Sequence, residues 1–379
     1  MLTFFLLFIN SSSIIGDMKV LIVFNHPAPY KVKLFNEICK FVDLDVIFER
    51  KAASDRPKEF YSENTYNFNV IFLKRGAFSK ENSNTSELVN YIKKNHQNYD
   101  LIIMNGYSTI SELRAISYMN KKKIPFVLYI NGGVVKKETG FKKAFKTKVI
   151  SSANMYLSPC DAANEYLTYY GARKEDIYIY PYSNYFEKEV LPTPLSINEK
   201  LNIRKKYNLP EGKLFVSASQ FIERKNVLQL LSIFKNREET LLLIGSGPLK
   251  DSYINYIKEN NMKNVIIFDY MDRERLFDVL RGCDAFITLS KQDIYGHTTA
   301  EAMANGLPVI SSNTVVSSLN LIKQGINGYI VNLDNEQEII DAINYVSTDM
   351  SKEAIKTAYE NTVEKMAEAH IEIFKRINK

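Results

Sequence analysis

From Met18 onward the chain alternates short, continuous apolar runs with longer stretches in which apolar residues recur every three or four positions. Lys19 to Phe24, KVLIVF, is an unbroken apolar run of the kind that forms a parallel strand covered on both faces. An amphipathic helix is predicted from about Lys31 to Phe41. Further strands are predicted at Asp45 to Glu49, Leu101 to Met104, Pro125 to Ile130, Met155 to Leu157 and Ile177 to Ile179, with helical stretches near 84–95, 109–119, 140–150 and 161–170. This alternation predicts a doubly wound α/β domain. Pro181 to Pro194 contains Pro181, Pro192 and Pro194 and no clear period, which predicts a linker. The pattern then restarts, with strands near 213–218, 240–244, 264–268, 284–289, 308–311 and 328–331. From Lys352 to the end there is no Pro or Gly and the pattern is helical throughout.

Composition bounds this picture without changing it. A length of 379 residues suits two domains of ordinary size, and 45% apolar with 24% charged residues excludes a disordered chain. Cys39, Cys160 and Cys283 lie far apart with no metal spacing, as expected of reduced thiols in a cytoplasmic protein. The net charge of +6 is modest, and no nucleic-acid partner is expected. The apolar start, MLTFFLLFIN, falls short of the about 20 residues a spanning helix needs and lacks the basic start and cleavage pattern of a signal peptide. Met18 stands directly before the first strand, so residues 1–17 are read as an extension and Met18 as the natural start; an intact mass that includes 1–17 in native protein would reject this.

Candidate chemistry gathers at Ser290 to Ser312, SKQDIYGHTTAEAMANGLPVISS. An apolar run leads into a loop with Asp293 and Gly296, then into a helical run from Thr298 to Asn305, which Gly306, Leu307 and Pro308 end. In an open parallel sheet, ligands sit beyond the carboxyl ends of the strands, where helix-opening amides attract anions. Asp293 and Glu301, eight residues apart, put one acid in the loop and one near the helix start. Thr298 and Glu301 also fit a capping box, and the dipole stabilises a Glu there by roughly 0.3 to 1 kcal/mol without any ligand. Arg224 and Lys225 stand at the start of another helix, where cations oppose the dipole; an anionic diphosphate would make sense of them. Gly245 and Gly247 form a Gly-x-Gly turn after the strand 240–244, and Phe268 to Met271 follows the next strand. His297 neighbours Gly296, either as a phosphate or sugar contact or as a packing residue. Asp43-Leu44-Asp45 precedes a strand instead of following one and is discounted as a metal site; no metal is expected.

These motifs together resemble retaining family 4 glycosyltransferases, the glycosyl transferases group 1, of the polysaccharide-biosynthesis type. The stretch from 293 to 309 resembles that family's Glu-x7-Glu signature, with EAMANGLPV at Glu301 to Val309 and Asp293 in place of the first Glu. The 217–226 stretch resembles its diphosphate site, with Lys225 matching the lysine and Gln220 replacing the usual arginine, for which Arg224 is a candidate substitute. The resemblance implies the GT-B fold: two Rossmann-like doubly wound α/β domains facing a cleft, with the C-terminal helix packing back on the first. The expected division is 18–190 for an acceptor domain, 191–346 for a nucleotide-sugar domain and 347–379 for the C-terminal helical segment. Implied catalytic residues are Lys225 on the leaving diphosphate, Asp293 on sugar hydroxyls and Glu301 on the ribose. Gln220, Arg224, Gly245, Gly247, Tyr270, Gly296, His297 and Thr298 would bind the donor. His26, Tyr30, Asn105, Asn131, Gly132 and Gly133, in loops after first-domain strands, are acceptor candidates; the His26 to Lys31 loop resembles the Pro-Ala-Pro-Tyr-Arg loop of some relatives, and Asn131 stands where many carry a histidine.

The implied reaction is retaining transfer of a hexose-type sugar from a UDP- or GDP-linked donor to a lipid-linked saccharide, for bacterial surface polysaccharide. No cofactor is implied, since the nucleotide sugar is a substrate. Two other classes fit: a catalytically silent partner of another transferase, and a sugar-nucleotide epimerase. Between Lys136 and Lys148 lie Lys136, Lys137, Lys142, Lys143, Lys146 and Lys148 against one acid, Glu138. At roughly 1 kcal/mol per lysine, this patch would hold the protein at the inner face of an anionic membrane, with Phe141 and Phe145 dipping into the interface.

Overall fold

The computed structural model describes residues 18–53, 61, 64–73, 85–133, 135, 138, 140–293 and 295–377; the N-terminal extension, Lys136 and Lys137 lie outside them. The chain forms two compact units. Unit 1 comprises the described residues of Met1–Tyr129, Ser152–Asn154 and Ala367–Lys379, and unit 2 those of Ile130–Ser151 and Met155–Met366.

The apolar runs become two sheets. The first has the order β3-β2-β1-β4-β5-β6-β7, from β1 Lys19–Phe24, β2 Asp43–Phe48, β3 Asn69–Phe72, β4 Leu101–Asn105, β5 Val127–Tyr129, β6 Met155–Ser158 and β7 Ile177–Ile179. The second has the order β10-β9-β8-β11-β12-β13, from β8 Leu214–Ala218, β9 Thr240–Ile244, β10 Val265–Phe268, β11 Ala285–Thr288, β12 Val309–Ser312 and β13 Gly328–Val331. Its pairs are all parallel, and helices cover both faces over two apolar clusters, one containing Val216, Leu242 and Phe286 and the other Phe215, Leu241 and Ile287. Adjacent residues on one strand thus point into opposite cores. Counted from each sheet's first strand, both orders run 3-2-1-4-5-6, with a seventh strand added in the first sheet, and the order reverses between the first and fourth strands, the point at which doubly wound sheets bind ligands.

Three expectations are corrected. Strand β3 was not foreseen, because NVIF is short and only half-buried at the sheet edge, beyond β2. The C-terminal segment is two helices, Ser351–Tyr359 and Val363–Ile377: the Val363 amide donates to the Tyr185 carbonyl at 2.9 Å, outside the helical ladder, so the chain breaks there without Gly or Pro. Residues 367–377 join unit 1, where the His370 ring lies 5.6 Å from that of Tyr129. The proline-marked linker is not a free tether. Tyr182, Ser183, Tyr185, Val190 and Leu191 are buried in unit 2, because its aromatic and aliphatic residues carry an apolar face that the prolines obscure in the sequence.

Candidate functional site

Two loops at the carboxyl end of the second sheet are fastened together. After β8 the chain turns through a short 3-10 segment, Glu223–Lys225, and enters the helix Val227–Phe234 through Asn226 in the left-handed region. After β11 it passes Asp293 and enters the helix His297–Ala304 through Gly296, also left-handed at φ 88°. The Lys291 amide donates to the Arg224 carbonyl at 2.8 Å, and the Lys291 ammonium meets Glu223 at 2.9 Å. Asp293 is the electrostatic centre. One carboxylate oxygen accepts a hydrogen bond from the Lys225 ammonium, and the other lies 3.7 Å from the Arg224 guanidinium, which also donates to the Gln292 carbonyl at 3.2 Å. Both cations expected at this helix start are therefore present and already face an anion. Lys225 is 11% exposed, Arg224 is 45% exposed, and Gln220 is exposed.

Glu301 takes a different role from a helix cap. The N-cap is Gly296, so Thr298 is the second helical residue and the expected capping box does not form. Oε1 of Glu301 accepts from the Arg273 guanidinium at 2.7 Å and from the Asn184 side-chain amide at 2.7 Å. Arg273, at the start of the helix Arg273–Arg281, also donates to Glu189 Oε1 at 2.8 Å and to the Asn184 carbonyl at 3.2 Å, and lies 4.3 Å from the Phe277 ring centre. Burial alone would lower the pKa of this guanidinium; Glu301 and Glu189 outweigh it and hold it above the ordinary value. Arg273, Asn184 and Glu189 were not read from the sequence. Two of them sit in the supposed linker, and the only signal was an Arg at a helix start, where a cation opposes the dipole.

His297 packs beside two tyrosines, with ring centres 4.8 Å from Tyr182 and 5.2 Å from Tyr295. The Tyr295 hydroxyl donates to the Tyr182 carbonyl at 2.8 Å. Gly245 follows β9 at a point where only glycine fits: a Cβ would lie 1.9 Å from the Ser219 carbonyl oxygen. Phe221 donates its amide to the Ser246 carbonyl at 2.8 Å, so the Gly245-Ser246-Gly247 turn is tied to the loop before Lys225. Tyr270, 76% exposed after β10, makes a broad open face, and Asp269 beside it pairs with Lys250. Unit 2 thus brings together Lys225, Arg224, Asp293, Gly296 and the glycine turn.

The acceptor candidates fall in both units. In unit 1, the His26 ring nitrogen and the Tyr61 hydroxyl are 3.2 Å apart, and Tyr30 is the second residue of the helix Pro29–Ile38. The next residue, Lys31, is buried, donates to the Tyr129 hydroxyl at 2.6 Å, and has its pKa pushed well below the ordinary value by that burial. Asn105 ends β4. In unit 2, Asn131, Gly132 and Gly133 follow β5, and a Cβ on Gly133 would come within 2.7 Å of the Tyr166 ring. Asp43 and Asp45 have structural partners: Lys19 lies 3.1 Å from Asp43, while Tyr99 and Asn69 donate to Asp45 at 2.5 and 2.8 Å.

The basic stretch forms the helix Gly140–Ile150. Phe141 is 88% exposed and Phe145 41% exposed, so neither is a core residue. Glu138 collects Lys142 at 3.2 Å, Lys146 at 2.9 Å and the Tyr170 hydroxyl at 2.7 Å, and its pKa is held down to about 2, first by Tyr170 and then by Lys146. Lys143 lies 4.3 Å over the Tyr169 ring. Among the described residues no helix is long and apolar enough to cross a membrane.

Residues 199–362 match the family Glycosyl transferases group 1. The chain is 28% identical over 151 residues to the O-antigen biosynthesis glycosyltransferase WclY of Escherichia coli, a match covering 39% of this chain and 41% of that protein. The chain thus spans about two fifths, 41%, of the length of the curated relatives it matches first. The crystal structure of Anabaena HepE in complex with UDP superposes with a TM-score of 0.74 at 16% identity, over 95% of this chain and 100% of HepE. The lipopolysaccharide outer core galactosyltransferase WaaB superposes with a TM-score of 0.68 at 16% identity, over 95% and 100% of the two chains. These two parallel-sheet, Rossmann-like domains have the fold of GT-B glycosyltransferases, and the stretch that matches the glycosyl transferases group 1 family, residues 199–362, carries Lys225, Asp293 and Glu301.

Proposed function

We propose that this chain is a glycosyltransferase that moves a hexose-type sugar, with retention, from a UDP- or GDP-linked donor to a lipid-linked saccharide in bacterial surface polysaccharide synthesis. The observation that carries the donor half is the cluster at the end of the second sheet. Lys225 and Arg224 meet one carboxylate beside two helix starts and a glycine turn, which is the chemistry a nucleoside diphosphate requires. Lys225 neutralises charge as it grows on the leaving diphosphate, and the amides after Gly296 add to this. Asp293 holds sugar hydroxyls and Glu301 the ribose. HepE, crystallised with UDP, and WclY, named for O-antigen biosynthesis, support the donor class and the polysaccharide setting. The test is a panel of UDP- and GDP-sugars read by thermal shift and slow donor hydrolysis on wild type, Lys225→Ala and Glu301→Ala. One donor that stabilises wild type alone and releases its nucleotide is the expected result; no stabilisation by any donor rejects the transferase reading.

The acceptor half rests on the helix Gly140–Ile150. Its exposed Phe141 and Phe145 alternate with Lys142, Lys143, Lys146 and Lys148, the composition of a segment that lies on an anionic bilayer. Membrane placement would bring the enzyme to a lipid-linked acceptor. The expected behaviour is reversible, salt-sensitive binding to anionic vesicles that Lys142→Gln, Lys143→Gln and Lys146→Gln together abolish. Unchanged binding by that triple variant refutes the patch.

A further inference from the structure

We infer that Arg273 is a positioning residue for nucleotide recognition: its guanidinium, with Asn184, fixes Oε1 of Glu301 and leaves Oε2 as an oriented acceptor for a vicinal diol, the ribose of the donor. The inference rests on the transferase reading above and adds residues to its site. Glu301 is 11% exposed at its side chain, so its orientation is set by the protein more than by water. Both of its side-chain hydrogen bonds fall on Oε1, from Arg273 at 2.7 Å and Asn184 at 2.7 Å, and among the described residues none falls on Oε2. A carboxylate held by one oxygen in this way presents the other along a fixed direction, and a neutral hydroxyl pair is the ligand that an acceptor-only oxygen suits.

Each nitrogen of the Arg273 guanidinium has a partner. One guanidinium nitrogen meets Glu189 at 2.8 Å, another the Asn184 carbonyl at 3.2 Å, and its plane lies 4.3 Å from the Phe277 ring centre. Two acids share one cation here, which leaves one negative charge in excess, and Glu189 ties the segment around 184–189 into the site. A merely structural ion pair needs no such fork: the three nitrogens bind three groups from two stretches distant in sequence, and lysine has no planar fork to replace it. Asn184 adds a second link, because its side chain donates to Glu301 while its carbonyl accepts from Arg273.

The experiment is calorimetric binding of UDP and GDP, and of their 2′,3′-dideoxy counterparts, to the full chain as wild type, R273A, E301A and the double variant. For the nucleotide that wild type binds, R273A and E301A each weaken the parent nucleotide about tenfold or more. The double variant is no weaker than E301A, and neither single variant changes affinity for the dideoxy nucleotide. Equal loss for parent and dideoxy nucleotides in R273A, additive losses in the double variant, or no loss at all overturns the inference. If R273A does not fold, R273K and N184A take its place, with the same selective loss of the ribose-bearing nucleotide expected. Failure of wild type to bind either nucleotide rejects the transferase reading itself, and so is distinct from a failure confined to Arg273.

Discussion

Two lysines occupy equivalent places in the two sheets and have opposite surroundings. Lys31 follows β1 and Lys225 follows β8, each just past the first strand of its sheet, in the turn or first helical turn beyond it. Lys31 is fully buried, 4.3 Å from the centre of the Tyr129 ring and 5.7 Å from that of Phe24, and burial drives its pKa well down. Lys225 keeps its head against Asp293, in a loop that also carries Arg224. The same topology thus delivers one lysine whose stem packs an interior and another whose charge is paired with an acid. Position in the fold alone does not decide what a lysine faces; the acid and the second cation beside Lys225 set its surroundings.

The comparison breaks most visibly by removing each amine. Lys225→Ala is expected to lower donor turnover by about 10²- to 10³-fold, the loss typical of one preorganised group facing developing charge, with melting temperature nearly unchanged. Lys31→Ala is expected to cost stability instead, about 2 to 4 kcal/mol for a buried stem and its lost packing, read by chemical denaturation. Equal stability losses in the two variants would sink the distinction. Glycines at strand ends sharpen it. Gly245→Ala pushes a methyl to 1.9 Å from the Ser219 carbonyl and is expected to cost about 2 to 4 kcal/mol, by moving the turn against the loop before Lys225. Gly106→Ala, after β4 at φ 87° with nothing within 4 Å of the new methyl, is expected to cost only about 1 to 2 kcal/mol of backbone strain.

Burial at the first sheet has a pH signature. Glu112 sits in the capping box of the helix Ile110–Lys122, where burial pushes its carboxyl from the ordinary 4.5 up to about 7, against the opposing pull of the Thr109 and Ser108 amides. Between these values the folded chain keeps a proton that the unfolded chain has lost, so this group's stabilisation is present at pH 4.5 and is lost as pH rises through 7. Glu112→Gln mimics the protonated form at every pH. Its stability relative to wild type is expected to improve by about 2 kcal/mol between pH 5 and 8, followed by denaturant titration. A difference constant with pH would show the carboxyl to be ionised throughout.

Much of this is legible in the sequence. A strand covered on both faces is apolar at every position, as Lys19 to Phe24 is, and that run matches the observed strand end for end; Ile177 to Ile179 also matches, although it is an edge strand with half-buried and exposed residues. The grouping of Lys225 with Asp293 and the glycine turn is legible because each follows a strand of the second sheet in chain order. Glu301 stands out in the sequence by its place in a motif, and its partners do not. Arg273 and Asn184 lie 28 and 117 positions away, and nothing local in the sequence marks a fork that closes only in three dimensions. The two-helix break at Val363 escaped for a related reason: the Tyr185 carbonyl that captures its amide is remote in sequence.

The smallest expected effect tests whether Asp293 holds the place of the donor. Its carboxylate supplies the negative charge that Lys225 and Arg224 face, so a diphosphate must compete with it for the same cations. Asp293→Asn removes that competitor and keeps the size of the side chain. If the competition operates, nucleoside diphosphate binding tightens by about three- to tenfold at low salt, and the gain shrinks as salt screens the cations. Turnover falls nonetheless, because a neutral amide serves the sugar less well than a carboxylate. Weaker diphosphate binding in Asp293→Asn would mean that the acid orients Lys225 for the ligand instead of occupying it, and the pair would then have to be read as one preformed unit.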